Sequence, residues 1–242
     1  TDLETLKRVL EKSIVVDVLR KGKYLWLKIN GCGGQFSCLL IHFGMTGSIS
    51  IDGVKRLEYM DFKVDELWPP RYCKFEMIFD NKIRVAMTDA RRLGRIELIE
   101  GVTSPLNVLP LSKLGKDPIL EPLSLKSFSE SILKRGTSLK ALLLNQQMIY
   151  CGIGNWLCDD ICYEARIHPA VKCSNLSQKQ ISRLHKAIRN VCTIAIRVNA
   201  DSSKFPKNWL FHVRWRKSRS KKKKGSSSSS SAMKLPNGHI VT

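Results

Sequence analysis

Residues 149–156, IYCGIGNW, separate two stretches of helical periodicity. In the preceding segment, SLKALLLNQQMIY, five residues share one mostly apolar helical stripe: Leu139, Leu142, Leu143, Gln146 and Ile149. The following segment, NWLCDDICYEARIHP, predicts a second helix with Asn155 as its N-cap. Gly152 and Gly154 are expected to supply the unusual backbone angles of a tight turn and to leave amides exposed at a helix N-terminus. The stretch therefore predicts a helix–turn–helix joint, which is either a plain helix hairpin or an anion-binding turn.

The chain is strongly basic. Its 242 residues include 41 Lys and Arg against 21 Asp and Glu, for a formal charge of +20. The run RWRKSRSKKKK, residues 214–224, holds eight of these cations, and the remainder of the chain still carries +12. The run alone fits a nuclear-import signal or a solvated tail. A body that stays basic without it indicates a polyanionic partner such as nucleic acid.

Hydropathy and cysteine usage exclude other classes of protein. Hydrophobic residues make up 43% of the chain, as in globular proteins, and no apolar run approaches the length of a membrane span. No signal peptide opens the sequence, so we expect neither a membrane nor a secreted role. None of the eight cysteines forms a C-x-x-C pair, which predicts reduced core thiols and no metal site.

The period of the sequence changes once along the chain. After a short helix, TDLETLKRVLEK, six strand-like runs lie between turn residues: KYLWLKI, FSCLLIHF, SISIDG, YCKFEMIFDN, KIRVAMTD and RIELIE. From about residue 124 to 199 the period is helical, and the last helix begins with the capping box Ser177-x-x-Gln180. We therefore predict an α+β fold with a β-sandwich at 1–102, a proline-containing linker at 103–123, a helical domain at 124–204 and a basic tail at 205–242.

Three places in the β-rich half contain candidate functional side chains. Lys23 alternates onto the apolar face of its strand, where it is either an amine with a lowered pKa or a strand-edge lysine that reaches water. Met45 lies in a glycine-flanked loop and is either loosely packed or a wedge that enters a partner. Arg91 and Leu93, in TDARRLGR, form either a solvated turn or a tip that fills the gap left by an extruded base.

These motifs occur together, and in the same order, in one family. RKGKYLWL, IHFGMTGSI, TDARRLG, the KALLL helix, GIGNW and EARIHP together resemble the formamidopyrimidine-DNA glycosylase / endonuclease VIII family of base-excision repair enzymes, and favour its plant and fungal branch. The resemblance implies a β-sandwich joined to a helix–two-turn–helix (H2TH) domain. It also implies a zinc-less β-hairpin finger, truncated here, within 205–242.

The resemblance implies roles for individual residues. Lys23 corresponds to the lysine that promotes β-elimination, and Met45, Arg91 and Leu93 correspond to the residues that fill the void when a damaged nucleotide flips out. Further DNA contacts are implied for five positions: His42, Tyr72, Arg135, Lys140 and Asn155.

The resemblance also implies a function. The family begins with Pro-Glu, whose proline amine is the Schiff-base nucleophile, whereas this sequence begins at Thr1 and stops where the return strand of the finger is expected. We therefore expect a fragment or the product of a mis-spliced gene, with impaired catalysis. The implied protein is a monomeric, nuclear glycosylase and abasic-site lyase without a cofactor, which acts on oxidised or ring-opened bases in double-stranded DNA. The alternative is a non-catalytic module that binds damaged DNA.

Overall fold

The structure is a computed structural model that describes residues 2–54 and 67–214. The chain divides into two compact units. The first, which we call the β unit, comprises Thr1–Leu120 and Gln146–Gly152. The second, the helical unit, comprises Glu121–Asn145 and Ile153–Thr242.

Within its described residues, the β unit contains one α-helix and two antiparallel sheets. Helix α1, Leu3–Leu10, begins at Asp2, whose side chain accepts a hydrogen bond from the Thr5 amide. Seven strands follow in chain order: β1 Ile14–Lys21, β2 Tyr24–Asn30, β3 Phe36–His42, β4 Ser48–Ile51, β5 Cys73–Ile78, β6 Arg84–Thr88 and β7 Arg95–Glu100. The four-stranded sheet has the order β1-β2-β3-β7 and the three-stranded sheet the order β4-β6-β5.

The two sheets pack on a common apolar core. Leu27, Ile29 and Leu39 of the larger sheet are buried against side chains that include Phe75 and Met77 of the smaller one. Because successive residues of a strand point to opposite faces, the period-2 pattern of these strands places their apolar side chains on this inner face. This arrangement confirms the predicted β-sandwich. The sequence pattern did not predict β1, whose apolar residues lack a clean alternation.

The opposite face of the larger sheet is covered by the segment predicted as a linker. Trp26, Cys38 and Leu40 on this face pack with Leu111, which is fully buried in a short 3₁₀ turn. Burial of an apolar side chain such as that of Leu111 against a sheet stabilises the folded state, and it does not occur in a solvated linker. Residues 103–120 are therefore an integral part of the β unit.

The part of the helical unit that the structure describes contains five α-helices: α2 Leu125–Leu133, α3 Leu139–Leu144, α4 Asn155–Ala165, α5 Gln178–Arg197 and α6 Phe211–Arg214. Serines cap the first two, and the predicted capping box of Ser177 and Gln180 opens α5. Helix α5 packs against α4 and α2 with the apolar face that its period predicts. The predicted helical domain is thus confirmed as a fold.

The joint around IYCGIGNW differs from the prediction in three respects. Helix α3 ends at Leu144, so Gln146 and Ile149 do not extend its stripe. Gly152 has a positive φ of 92°, but Gly154 is extended, at φ −107° and ψ −179°. Gly154 is the N-cap of α4, and Asn155 is its first residue and not its cap.

The helical stripe is interrupted because the backbone of residues 146–152 bonds to another part of the β unit. The Gly115 amide donates to the Gln146 carbonyl, and Lys116 forms a parallel bridge with Tyr150. The Gln146 side chain also accepts a hydrogen bond from the Gly152 amide at 2.8 Å. These bonds replace the helical ones for this segment.

The end of the described chain carries an aromatic cluster. Trp156 of α4 packs with Phe205, Trp209 and Phe211, at ring-centroid distances of 5.2–6.4 Å. Residues 205–214 are therefore folded onto the helical unit. The rest of the predicted tail, with the basic run after Arg214 and the implied finger, falls on residues 215–242, which lie outside the described residues. No helix in the described part of the chain is both long and apolar enough to cross a bilayer.

Candidate functional site

Two loops at one end of the β unit bring the predicted wedge residues together. Met45 lies on the β3–β4 loop and is 75% exposed, and Leu93 lies on the β6–β7 loop and is 51% exposed. Arg91, on the second loop, places its Nη1 atom 3.9 Å from the Met45 sulfur. Gly44 allows the two loops to approach each other closely, because a Cβ atom at this position would lie only 2.8 Å from the carbonyl carbon of Leu93. Two exposed apolar side chains and a guanidinium group therefore lie on two adjacent loops.

A buried carboxylate ties the two loops to each other. Asp89 is 2% exposed, and its Oδ1 accepts a hydrogen bond from the Thr46 hydroxyl at 2.6 Å while its Oδ2 accepts one from the Gly94 amide at 2.6 Å. The Arg91 amide donates to Oδ1 at 3.3 Å. Burial favours protonation, but these hydrogen bonds and the nearby Lys74 outweigh it and lower the pKa of Asp89. The ionised side chain therefore holds the tips of both loops.

Tyr72 lies beside this loop pair. Its carbonyl oxygen accepts the Asp89 amide at 3.0 Å, and its φ of 63° turns the chain just before β5. The ring is 53% exposed and lies 4.7 Å from the guanidinium carbon of Arg71. An exposed phenol ring next to an arginine can contact a base or a phosphate.

Lys23 occupies a turn and not the strand face that the sequence pattern predicted. Lys21 and Tyr24 are paired across the β1–β2 hairpin, which leaves Gly22 and Lys23 as its two-residue turn. Gly22 has a φ of 58°, as the first position of such tight turns requires. A Cβ on Gly22 would also lie 2.9 Å from the sulfur of Cys151. The turn thus projects the lysine from the end of the sheet.

A second buried carboxylate fixes this turn. Asp117 is 2% exposed and accepts hydrogen bonds from Arg20 Nη1 at 2.7 Å and the Gly22 amide at 3.0 Å through Oδ2. Its Oδ1 accepts the amides of Ile119 and Leu120. Burial opposes ionisation, but these bonds and the arginine outweigh it and lower the pKa of Asp117. The turn that carries the lysine is therefore anchored to residues far along the chain.

The amine of Lys23 is more easily deprotonated than an ordinary lysine. Its side chain is exposed overall, yet protein packed around the ammonium group disfavours the charge and lowers the pKa of Lys23. His42 lies close by, with its ring 4.6 Å from that of Tyr24, and its pKa is lowered by burial and then by Lys23 and Arg95. An amine of this kind is a better nucleophile at neutral pH.

Strand register explains why these groups are neighbours. Tyr24 pairs with His42, and His42 pairs with Arg95, so the lysine turn and the two loops leave the same end of the four-stranded sheet. His42 Nδ1 also accepts the Gly44 amide at 3.1 Å. The β unit therefore gathers six of the nine predicted site residues at one end of the sandwich: Lys23, His42, Met45, Tyr72, Arg91 and Leu93.

The other three predicted site residues belong to the helical unit. Lys140 of α3 donates to Asp159 of α4 at 2.7 Å, and Arg214 contacts the other oxygen of the same carboxylate. Asn155 is exposed in the first turn of α4, where no side chain caps the helix and amides are available to an anion. Arg135 follows α2, and its buried Nε has no hydrogen-bond partner among the described residues.

Three carboxylates that organise these positions were not predicted from the sequence. Asp89, Asp117 and Asp159 each hold a cation or a loop amide near a predicted site residue. Asp89 lies within the TDARRLG motif, and its position directly after a strand was the available signal. The contacts of Asp117 with Arg20 and Gly22, and that of Asp159 with Lys140, join residues distant in sequence, so no local pattern marks these contacts.

The described residues contain no disulfide and no arranged metal ligands. None of the eight cysteines, all of which lie in the described ranges, forms a disulfide, and six of them are buried. Within 2–54 and 67–214, no group of three or more His, Cys, Asp or Glu side chains is placed to hold a metal ion.

Comparison with known proteins places these features in one family. The sequence model of the formamidopyrimidine-DNA glycosylase N-terminal domain matches residues 1–96, and that of the H2TH domain matches residues 114–207. An Arabidopsis thaliana protein named formamidopyrimidine-DNA glycosylase is 41% identical over 211 residues, which cover 86% of this chain and 52% of that protein. A Streptococcus pyogenes serotype M28 protein of the same name is 30% identical, over 87% of this chain and 70% of that protein.

A solved structure shows the same fold. The Lactococcus lactis enzyme, crystallised without a covalent bond to DNA that contains an abasic site, is 28% identical and superposes with a TM-score of 0.65. The match covers 84% of this chain and 71% of the Lactococcus lactis chain. The chain spans about half the length of the Arabidopsis relative. The chain belongs to the formamidopyrimidine-DNA glycosylase family.

Proposed function

We propose that the protein binds double-stranded DNA with oxidised or ring-opened bases or abasic sites, and that it acts as a DNA glycosylase and abasic-site lyase. The observation that carries the proposal is the loop pair locked by Asp89, which presents Met45, Arg91 and Leu93 together. Family membership supports it, because relatives carry the name formamidopyrimidine-DNA glycosylase and one is solved bound to DNA that contains an abasic site.

The loop pair fits the physical needs of base flipping. An extruded nucleotide leaves a gap in the base stack, and refilling that gap with apolar side chains offsets part of the few kcal/mol that unstacking costs. Met45 and Leu93 supply the apolar surface, and Arg91 supplies hydrogen-bond donors for the unpaired opposite base. Because Asp89 already fixes both loops, little further ordering is required on binding.

Lys23 supplies the chemistry at an abasic site. Its neutral amine adds to the C1′ aldehyde of the open sugar, and loss of water gives an imine. The imine acidifies the C2′ proton, and removal of that proton with departure of the 3′ phosphate breaks the strand by β-elimination. Hydrolysis of the imine then releases the lysine. The lowered pKa of Lys23 increases the fraction of amine available for the first step.

The helical unit is proposed to hold the DNA backbone. Lys140, Arg135 and the exposed amides beside Asn155 are donors for phosphate oxygens, as expected at a helix N-terminus. Lys140 is paired with Asp159, so a phosphate would share or replace this carboxylate. We further propose that the protein acts as a monomer and works in the nucleus, which the basic run at 214–224 supports.

Borohydride trapping tests the proposal directly. The purified chain is incubated with a duplex that contains an abasic site, and borohydride reduces any imine to a stable covalent adduct. We expect an adduct with the wild type and its loss in Lys23→Ala. Lys21→Ala, in the same hairpin, is the matched control and is expected to retain the adduct. Excision of an oxidised base is measured in parallel on a duplex with that lesion.

The outcomes separate the two functions that the sequence leaves open. Tight binding to the abasic duplex without an adduct would support a non-catalytic module that recognises damage. An adduct that survives Lys23→Ala would assign the amine to another residue. Equal affinity for damaged and undamaged duplexes, with no adduct, would contradict the proposal.

A further inference from the structure

The outer face of α5 carries a line of cations that the proposed site does not use. Helix α5 contains five Lys and Arg and no Asp or Glu over its 20 residues: Lys179, Arg183, Lys186, Arg189 and Arg197. All five are exposed. Among the described residues, none of them has an ion-pair partner.

Helix geometry places four of these cations in one stripe. At 3.6 residues per turn, Lys179, Arg183, Lys186 and Arg197 fall within about 60° of arc, and the line from first to last is about 27 Å long. Arg189 lies on the flank of the stripe. The buried face of the helix, with residues such as Leu184 and Ile188, is opposite, where α5 packs against α4 and α2. The stripe therefore points away from the core of its own unit.

We propose that this stripe is a second nucleic-acid surface, which holds the phosphates of an undamaged duplex segment that the lesion site does not engage. Phosphate binding needs only Lys and Arg side chains spread along a line, because the duplex presents about one negative charge per 1.7 Å of its axis. The two arginines of the stripe can bond to phosphate oxygens through two parallel N–H groups.

Two other kinds of partner fit the stripe less well. A membrane-surface helix needs an apolar face free to enter the lipid, whereas the apolar face of α5 is buried in the core. A specific acidic peptide is bound by clustered cations with neighbouring apolar anchors, whereas the outward residues of α5 form an extended line. A regular polyanion matches this line best.

One carboxylate borders the stripe, and its removal should strengthen duplex binding, whereas removal of the cations should weaken it. Glu164 of α4 is exposed and accepts a hydrogen bond from Asn190, at the middle of the outward face, at 2.6 Å. A phosphate that approaches this point is repelled by the carboxylate. Glu164→Gln keeps a hydrogen-bond acceptor and removes the charge, so it should tighten binding of the second duplex by a few-fold.

The main test uses two variants with the same loss of charge. The stripe variant carries Lys179→Gln, Arg183→Gln, Lys186→Gln and Arg197→Gln. The control variant removes four exposed cations scattered over the described surface: Lys12→Gln, Lys82→Gln, Lys113→Gln and Lys126→Gln. Thermal unfolding of both establishes that they are folded. The chain is first saturated with a short duplex that contains an abasic-site analogue, and a longer labelled undamaged duplex is then titrated in.

We expect the wild type and the control variant to form a ternary complex and the stripe variant to bind the second duplex much more weakly. The log–log salt slope for the second duplex should fall by about 3.6 in the stripe variant, since each of the four lost phosphate contacts removes about 0.9. Equal binding of the second duplex by the two variants would overturn the inference. It would also be overturned if polyglutamate displaced the second duplex at a lower concentration of negative charge than unlabelled duplex does. Failure of the proposed function would give a different result: the wild type would not prefer the first duplex, which contains the abasic-site analogue, over undamaged duplex.

Discussion

The carboxylate of Asp89 accepts the Thr46 hydroxyl at 2.6 Å, a bond that joins the β6–β7 loop to the β3–β4 loop. The two residues are 43 positions apart in sequence. Because the other oxygen of Asp89 holds the Gly94 amide, a single buried side chain sets the positions of both wedge-bearing loops. The predicted site thus depends on a residue that is itself shielded from solvent.

We expect Asp89→Asn to loosen the loop pair. The amide side chain offers one acceptor oxygen and places an NH₂ group against a donor, which leaves a buried donor unsatisfied at a cost of about 1–3 kcal/mol. Affinity for undamaged duplex should stay the same, and the preference for abasic over undamaged duplex should fall about tenfold. Both affinities are measured by fluorescence anisotropy. Asp80→Asn, at an exposed turn, is the control and should retain the preference.

Truncation of the wedge should have a similar effect without a loss of stability. Met45→Ala and Leu93→Ala remove exposed apolar side chains, so the free energy of unfolding should change little. Lesion preference should fall, because the gap left by the flipped nucleotide is no longer filled. Ile78→Ala, which removes a 69% exposed side chain from β5, is the matched control. Full lesion preference in both wedge variants would show that these are ordinary loop residues.

Sequence periodicity predicted most elements of the fold because their stability rests on local pattern. The β-rich runs alternate, α5 has a 3.6-residue apolar period, and its capping box is contained within four residues. The pattern failed where tertiary contacts compete with a local preference. Gln146 and Ile149 continue an apolar helical stripe, but the backbone of Gly115 and Lys116 binds their segment instead.

The candidate site was predictable in its exposed members only. Met45, Arg91 and Leu93 stand out because an apolar or charged tip on a glycine-flanked loop is unusual. The place of Lys23 in a turn was signalled by Gly22, although alternation suggested a strand. Asp117 could not be found, because its partners Arg20 and Gly22 lie more than 90 residues away. The role of each site residue in DNA binding stays a prediction.

Stability should depend on pH through Asp160. Burial raises the pKa of this carboxyl to about 6, although hydrogen bonds from the amides of Phe211 and Leu210 and the nearby His212 oppose the rise. Because the folded-state pKa lies above the unfolded value, its contribution to stability is fully present below about pH 4 and is lost as the pH rises through about 6. The ionised form is therefore a destabilising feature at neutral pH.

Asp160→Asn should remove this loss. The amide oxygen can still accept the Phe211 amide, bonded at 3.2 Å in the wild type, and carries no charge to bury. We expect the variant to be more stable than the wild type by about 2–3 kcal/mol above pH 7, with the difference vanishing near pH 4. Urea unfolding at both pH values measures it. If the difference in free energy of unfolding between variant and wild type did not depend on pH, the effect would come from packing and not from the charge of Asp160.

Phosphate contacts by the helical unit should appear in the salt dependence. Lys140→Ala is expected to weaken binding to any duplex and to reduce the log–log salt slope by about 1. Asp159→Asn should act in the opposite direction, because it frees both Lys140 and Arg214 from their shared carboxylate. Lys126→Ala, on the exposed surface of α2, is the control. An unchanged slope in Lys140→Ala would remove this residue from the DNA-binding surface.

The anchoring of the lysine turn predicts an effect on catalysis at a distance from the reacting atoms. Asp117→Asn takes a negative charge from Arg20 and weakens the bond that fixes the Gly22 amide, so Lys23 should be held less firmly. Strand cleavage at abasic sites should slow about tenfold, which corresponds to about 1.4 kcal/mol of lost transition-state stabilisation. A looser turn also admits water around the amine, so the pKa of Lys23 should rise and the rising limb of the pH–rate profile should move to higher pH. Asp17→Asn changes an exposed residue on β1, the strand that carries Arg20, and should leave both the rate and the pH–rate profile unchanged. A slower rate with an unshifted profile would mean that Asp117 supports the fold alone and does not set the state of the amine.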